Sequence, residues 1–158
     1  MATALHNLSE YDTDKVPSGE GKAYGIVVAE WNKHITFELL NGCIETLHKH
    51  GVLKEDIHIS IVPGTFELPF AAKMLAKQHH LSSVICLGCV IKGETDHDIY
   101  INTSVANALQ NLNIEFDIPF IFGVLTPNNE QQALDRAGGK HGNKGVEAAV
   151  TALKMCTI

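Results

Sequence analysis

The strongest constraint on this chain is a serial alternation. Short, unbroken apolar runs are separated by longer segments in which apolar residues recur every three or four positions. Tyr24-Gly25-Ile26-Val27-Val28-Ala29 is the first run, and its lack of polar alternation suits a parallel strand covered on both faces. Ile35, Leu39, Cys43 and Leu47 follow at four-residue spacing, with Leu40 and Ile44 beside them, which predicts an amphipathic helix stopping near Gly51. The pattern then repeats. A second strand is predicted over Ile57 to Val62, a helix over Phe66 to His79 and a third strand over Ser83 to Ile91. A helix over Ile99 to Leu112 and a fourth strand over Pro119 to Leu125 come next. Two helices close the chain, Glu130 to Ala137 and Val146 to Met155, the latter with Val146, Ala149, Val150 and Leu153 at i, i+3, i+4 and i+7. Serial βαβ units place helices on both faces of a parallel sheet, so the expected fold is a three-layer α/β/α sandwich around four parallel strands.

At 158 residues one domain is expected, and residues 23–158 carry the pattern. Residues 1–22 are polar, broken by Pro17, Ser18, Gly19 and Gly21, and without period; they are expected to be a flexible N-terminal arm. A hydrophobic content of 45% against 19% charged residues excludes a largely disordered chain. Twelve cationic and 18 acidic side chains leave a net charge of −6 with no basic stripe, which argues against nucleic acid as a partner. No apolar stretch approaches the ~20 residues needed to span a bilayer. The first residues lack the basic and apolar regions of a signal peptide, so the four cysteines are expected to be reduced thiols in a cytoplasm. The expected partner is a small molecule.

In open parallel sheets, ligands bind where the loops leave the carboxyl ends of the strands. Three unusual loops fall there: Glu30-Trp31-Asn32, Pro63-Gly64-Thr65-Phe66-Glu67, and Lys92-Gly93-Glu94-Thr95-Asp96-His97-Asp98. Trp31, the only tryptophan, offers a face for stacking on a planar heterocycle, although capping the core beneath the first helix is the plainer reading of it taken alone. Asn32 has the form of an ordinary helix N-cap. Gly64 lets backbone approach a ligand, Thr65 is placed to cap the following helix, and Glu67 in its first turn suits either sugar-like hydroxyls or the helix dipole. Of nine histidines, His48, His50, His79 and His80 are expected on helix surfaces. His97 stands at a helix start between two aspartates, where an imidazole that titrates near neutrality can pass protons; a solvated loop histidine is the plainer reading of its spacing.

Arg136 is the sole arginine, and its planar fork binds phosphate bidentately; a surface ion pair with Asp135 or Glu130 would also account for it. It precedes the glycine-dense connection Ala137-Gly138-Gly139-Lys140-His141-Gly142-Asn143-Lys144-Gly145. No G-x-G-x-x-G or Walker A pattern is present. Cys86 and Cys89 form a C-x-x-C inside a predicted strand, where they point to opposite faces, so neither a metal chelate nor a redox pair is expected and both read as core.

Five ordered blocks resemble the lumazine synthases, the penultimate enzymes of riboflavin biosynthesis, from about residue 22 to the C-terminus. They are Trp31-Asn32, Val62 to Pro69, Gly88 to His97, Ile121 to Thr126 and Arg136 to Gly145. The resemblance implies a flavodoxin-like scaffold that condenses 5-amino-6-(D-ribitylamino)uracil with 3,4-dihydroxy-2-butanone 4-phosphate. The products would be 6,7-dimethyl-8-ribityllumazine, phosphate and water, with no cofactor and no metal. By similarity Trp31 stacks on the pyrimidine with Asn32 beside it, Thr65, Phe66 and Glu67 hold the ribityl chain, and Val90 and Ile91 offer backbone groups to the ring. Glu94 and Thr95 match the phosphate-side loop, and Arg136 the phosphate-binding arginine. His97 matches the histidine assigned to proton transfer. Phe122, Arg136 and Lys144 would come from a neighbouring subunit.

Three positions depart from the family pattern. Asp98 and Ile99 stand where relatives carry an aromatic and then an acidic residue, and Lys92 stands where many have arginine. The resemblance also implies a homopentamer, and the uninterrupted Gly138 to Gly145 connection resembles members that form icosahedral shells of sixty subunits. The arm at 1–22 is then a candidate to join a neighbour's sheet edge. A non-catalytic flavin, pterin or lumazine carrier, or a purely structural shell protein, is the rival reading on this fold. Arg136 and the phosphate-side loop speak against it, because a carrier of a phosphate-free product needs neither. The full loop set likewise speaks against the related riboflavin synthase of archaea.

Overall fold

A computed structural model describes residues 7–158, so the first six residues of the arm lie outside the described residues. Four parallel strands form one sheet: β1 (Tyr24–Ala29), β2 (Ile57–Val62), β3 (Ser83–Cys89) and β4 (Phe120–Leu125), in the order β2-β1-β3-β4. Register is continuous, with Val28 beside both Ile61 and Leu87, and Leu87 beside Gly123. The helices are α1 (Lys33–Lys49), α2 (Leu68–Gln78), α3 (His97–Phe116), α4 (Glu130–Leu134) and α5 (Lys144–Met155). The three-layer flavodoxin-like sandwich expected from the alternation is the architecture observed.

Period-two side chains divide the core. Tyr24, Ile26, Val28, Ile85, Leu87, Cys89, Ile121 and Leu125 pack on one face under α1 and α5. Val27, Ala29, Val84, Cys86, Phe120 and Val124 pack on the other under α2 and α3. Cys86 and Cys89 therefore fall in different clusters, and burial pushes the Cys86 thiol up and that of Cys89 up to about 12. The central strands β1 and β3 are buried throughout, whereas β2 is an edge strand whose Ile59 and Ile61 face outward. Among the described residues no helix is long and apolar enough to cross a membrane.

Local chemistry sets the element ends. α1 closes as expected with Gly51 in the left-handed region at φ +88, while Val52 N–H donates to the Leu47 carbonyl and Gly51 N–H to that of His48. That is the paired-bond stop that favours glycine. α5 is capped by Asn143, whose Oδ1 accepts from Gly145 N–H at 2.7 Å, a bond worth about 1 kcal/mol. Its Nδ2 donates to the Glu38 carbonyl at 2.8 Å, which ties α5 to α1. The two helices approach so closely at Gly145 that a Cβ there would collide with the Leu39 carbonyl oxygen.

Four expectations need correction. The helix from Glu130 ends at Leu134, because Gly138 at φ +108 and Gly142 at φ +77 turn the following segment into a small antiparallel hairpin, β5 (Ala137–Gly139) with β6 (Gly142–Asn143). α3 starts at His97 and runs to Phe116, longer at both ends than its apolar period. The third strand ends at Cys89 rather than Ile91. His50 is buried, not a surface residue: its Nε2 lies 3.3 Å from the Tyr11 hydroxyl, and desolvation followed by the Lys49 charge lowers its pKa. Residues 7–22 lie along the fold, with Val16 inside the core cluster and Gly19 N–H donating to the His50 carbonyl at 2.8 Å.

Candidate active site

The strand ends are stapled together where the loops begin. Glu30 and Trp31 N–H groups donate to the carbonyls of Val62 and Pro63, extending the β1–β2 ladder into both loops. Val90 N–H donates to Leu125 and Lys92 N–H to Pro127, doing the same for β3 and β4. A cavity of about 630 Å³ opens between these loops, large enough for a drug-sized ligand. The three loops singled out in the sequence converge on it. Trp31, Asn32, Thr65, Phe66, Glu67, Val90, Ile91, Thr95 and His97 all line its wall.

Trp31 is 72% exposed, so it does not cap the core; its indole is free to stack. Asn32 is not an ordinary cap. Its backbone is left-handed at φ 59, it makes no side-chain cap bond, and its Nδ2 donates to the Cys89 carbonyl at 3.1 Å. The side chain thus ties the first loop to the end of β3, which spacing alone did not reveal. Thr65 does not cap α2 either. It opens a 3-10 turn (Thr65–Glu67) and is buried against Gly88, where a Cβ would stand 2.7 Å from its Oγ1. Glu67 extends over Gly64, whose missing side chain leaves room for the carboxylate at 3.0 Å.

His97 opens the long helix α3, exposed and facing the cavity. Asp98 also lines the cavity, and its Oδ1 is buried without a hydrogen-bond partner. Ile99 points elsewhere, 55% exposed and outside the wall. Cys89 reaches the wall, but a thiol pushed up to about 12 by burial supplies no thiolate nucleophile at neutral pH. Lys92 and Glu94 are exposed on the same loop without lining the cavity.

Phe122, Arg136 and Lys144 do not line this cavity. Phe122 and Lys144 share a second, open cavity of about 900 Å³ along the outer edge of β4, together with Asp117, Thr151 and Met155. Lys144 N–H donates to the Arg136 carbonyl at 2.9 Å, which ties Arg136 to the start of α5. Arg136 makes no ion pair with the two carboxylates considered for it. Glu130 is engaged by His34 at 2.8 Å and Asp135 by Lys140 at 3.2 Å, while Arg136 Nη1 donates to the Gln132 carbonyl at 3.1 Å. A hydrogen bond from Gln131 holds the Asp135 carboxyl below its usual range; desolvation opposes it less strongly, and the Lys140 contact and the His141 charge add to the lowering. Among the described residues no three His, Cys, Asp or Glu side chains gather closely enough to hold a metal ion.

Chemically, the first cavity offers an aromatic plate, two carboxylates (Glu67 and Asp98), backbone groups and one imidazole. The second cavity offers a phenyl ring and an amine, the latter paired with Glu147 at 2.9 Å. The family model described as 6,7-dimethyl-8-ribityllumazine synthase matches residues 21–158. The chain is similar to the 6,7-dimethyl-8-ribityllumazine synthase of Parabacteroides distasonis, 56% identical over 155 residues, covering 98% of this chain and 97% of the relative. It is 54% identical over 158 residues to that of Porphyromonas gingivalis, covering 100% and 98%. Similarity to the synthase of Cytophaga hutchinsonii is 52% over 155 residues, covering 98% and 97%.

Proposed function

The chain belongs to the 6,7-dimethyl-8-ribityllumazine synthase family, and on that premise we propose that its cavity is one half of an active site completed by a second copy. The reaction is the riboflavin-pathway condensation of 5-amino-6-(D-ribitylamino)uracil with 3,4-dihydroxy-2-butanone 4-phosphate. An aryl amine attacks a ketone, phosphate departs, and a second amine closes the ring onto the remaining carbonyl. Each of the two carbonyl–amine condensations releases one water. These steps move protons at moderate cost, so positioning plus one acid/base group suffices.

In this reading Trp31 stacks on the pyrimidine, Asn32 fixes the loop beneath it, and Val90 and Ile91 meet its polar edge through backbone groups. Thr65, Phe66 and Glu67 take the ribityl chain, with Glu67 accepting from its hydroxyls. Lys92, Glu94 and Thr95 form the phosphate side of the rim, and His97 carries protons between the amine and the leaving groups. Phe122, Arg136 and Lys144 act on the neighbour's cavity, Arg136 gripping phosphate through its planar fork. The single observation that carries this is the split itself: a heterocycle-sized cavity at the strand ends, and the only arginine outside its wall.

The assembly is a homopentamer, built into a sixty-subunit shell, with residues 23–158 as the catalytic domain and 1–22 as an arm. Exposed Ile59, Ile61, Phe66 and Phe70 support subunit contact. A cytoplasmic setting suits four free thiols. Sedimentation is expected to show no free 17.2 kDa chain, and a sole species of about 86 kDa, five times that mass, would end the shell proposal.

Mixing the protein with both substrates, and following product absorbance and inorganic phosphate, tests the whole reading; a rate equal to the spontaneous one would sink it. Arg136→Ala is expected to raise the KM for the phosphorylated ketone by about 10²-fold, the loss of a charge-assisted pair. Its KM for the pyrimidine should move little, and equal rises for both substrates would remove Arg136 from phosphate binding.

A further inference from the structure

The described part of the arm lies across the hairpin that follows Arg136. Leu8 N–H donates to the His141 carbonyl at 2.7 Å, and Asn143 N–H donates to Ser9 Oγ at 3.0 Å. Gly142 lies between these bonds, with so little space that a Cβ would collide with the Asn7 side-chain oxygen and stand 2.6 Å from the Ser9 nitrogen. The hairpin itself is minimal. Its strands are three and two residues long with an irregular register, and a ribbon so short is not stable alone.

Arg136 stands directly before this hairpin and is bound to its far end, because its carbonyl accepts from Lys144 N–H at 2.9 Å. Asn143, the residue held by Ser9, also anchors α1 through Glu38 and caps α5 through Gly145. A displacement of β6 is thus passed to Arg136 through one residue on either side.

We infer that residues 7–9 are a strap that positions Arg136. Leu8 and Ser9 hold the hairpin in the placement from which the guanidinium meets phosphate, so the arm governs recognition of the phosphorylated substrate without touching it. This rests on the phosphate role given to Arg136 above. The physical reason is angular: a planar fork grips an oxyanion through two parallel bonds, and a misplacement of about 1 Å is enough to cost up to about 10²-fold. Ser9 is a positioning residue.

The test uses the full assembled enzyme with Ser9→Ala, Ser9→Thr and a deletion of residues 1–9, each with and without Arg136→Ala. The deletion is expected to raise the KM for the phosphorylated ketone about tenfold and Ser9→Ala about threefold, with Ser9→Thr near wild type. The KM for the pyrimidine should stay within about twofold. In the Arg136→Ala background neither arm change should add a further rise, since the strap acts through that side chain. Unchanged KM values overturn the strap, as does a parallel rise for both substrates with a lower Tm. Arm and arginine effects that multiply also overturn it, because the arm then acts elsewhere. Should Arg136→Ala alone leave the ketone KM untouched, the phosphate assignment has failed and the strap falls with it. If Arg136→Ala raises it and the deletion does not, only the strap has failed.

Discussion

Alanine in place of His97 is expected to lower kcat by roughly 10²-fold, the lower end of what a positioned acid/base group contributes. The protein should still fold and assemble. His97 is exposed at the first position of a 20-residue helix and belongs to neither core cluster, so its loss removes no packing. Its side chain lines the same cavity as Trp31 and Glu67, within the loop set that receives the substrates. The thiol at the wall, Cys89, is sealed by burial and takes no part near neutral pH. KM for both substrates should change by no more than about threefold, because the plate, the carboxylate and the guanidinium remain. A variant that turns over at the wild-type rate would assign proton transfer to solvent or to another side chain.

Gly145→Ala should be the most damaging single methyl group in the fold. The added Cβ would strike the Leu39 carbonyl oxygen and lie 2.6 Å from its carbon, and these are backbone atoms that cannot rotate away. Relief requires α5 to move off α1, where Ile35, Leu39 and Cys43 meet Ala148, Ala149 and Ala152 in one cluster. Forced overpacking of this kind costs about 3 kcal/mol or more, a fall of roughly 6–12 °C in Tm for a chain of this size. Gly93→Ala is the control, since a Cβ there meets nothing within 4 Å, and its Tm should match the wild type. Thermal unfolding of the pair decides the matter; equal melting temperatures would mean that α1 and α5 do not approach as described.

Where burial on both faces demands an apolar run, strands are legible, and β1 begins and ends at the residues expected from the sequence; β2 does so too, although it is an edge strand with one face open. The loop residues of the first cavity were legible for a topological reason, since parallel strands deliver their C-terminal loops to one edge. Less legible was anything that depends on a partner distant in the chain. Asn32 has the identity of a cap yet binds Cys89, 57 positions away. Asn143 reads as one polar residue in a glycine-rich connection, but it joins Ser9, Glu38 and Gly145. The β5–β6 hairpin was hidden because two or three residues carry no period, and Gly142 faces an arm 133 or more positions earlier. Asp98 remains the unusual member of the wall, a cavity residue with a buried oxygen that finds no partner.

Periodicity and punctuation in the sequence determined the order of strands and helices, the helix stop at Gly51 and the identity of the residues at the strand ends. These follow from short-range rules, in which the spacing of apolar side chains selects a face and a glycine selects a left-handed turn. Tertiary structure alone decided that Trp31 faces outward, that Thr65 is buried under Gly88, and that Arg136 stands outside the cavity that His97 lines. Each of those outcomes is a distance between elements, set by how closely two helices and a sheet can pack, and no local pattern of residues encodes it.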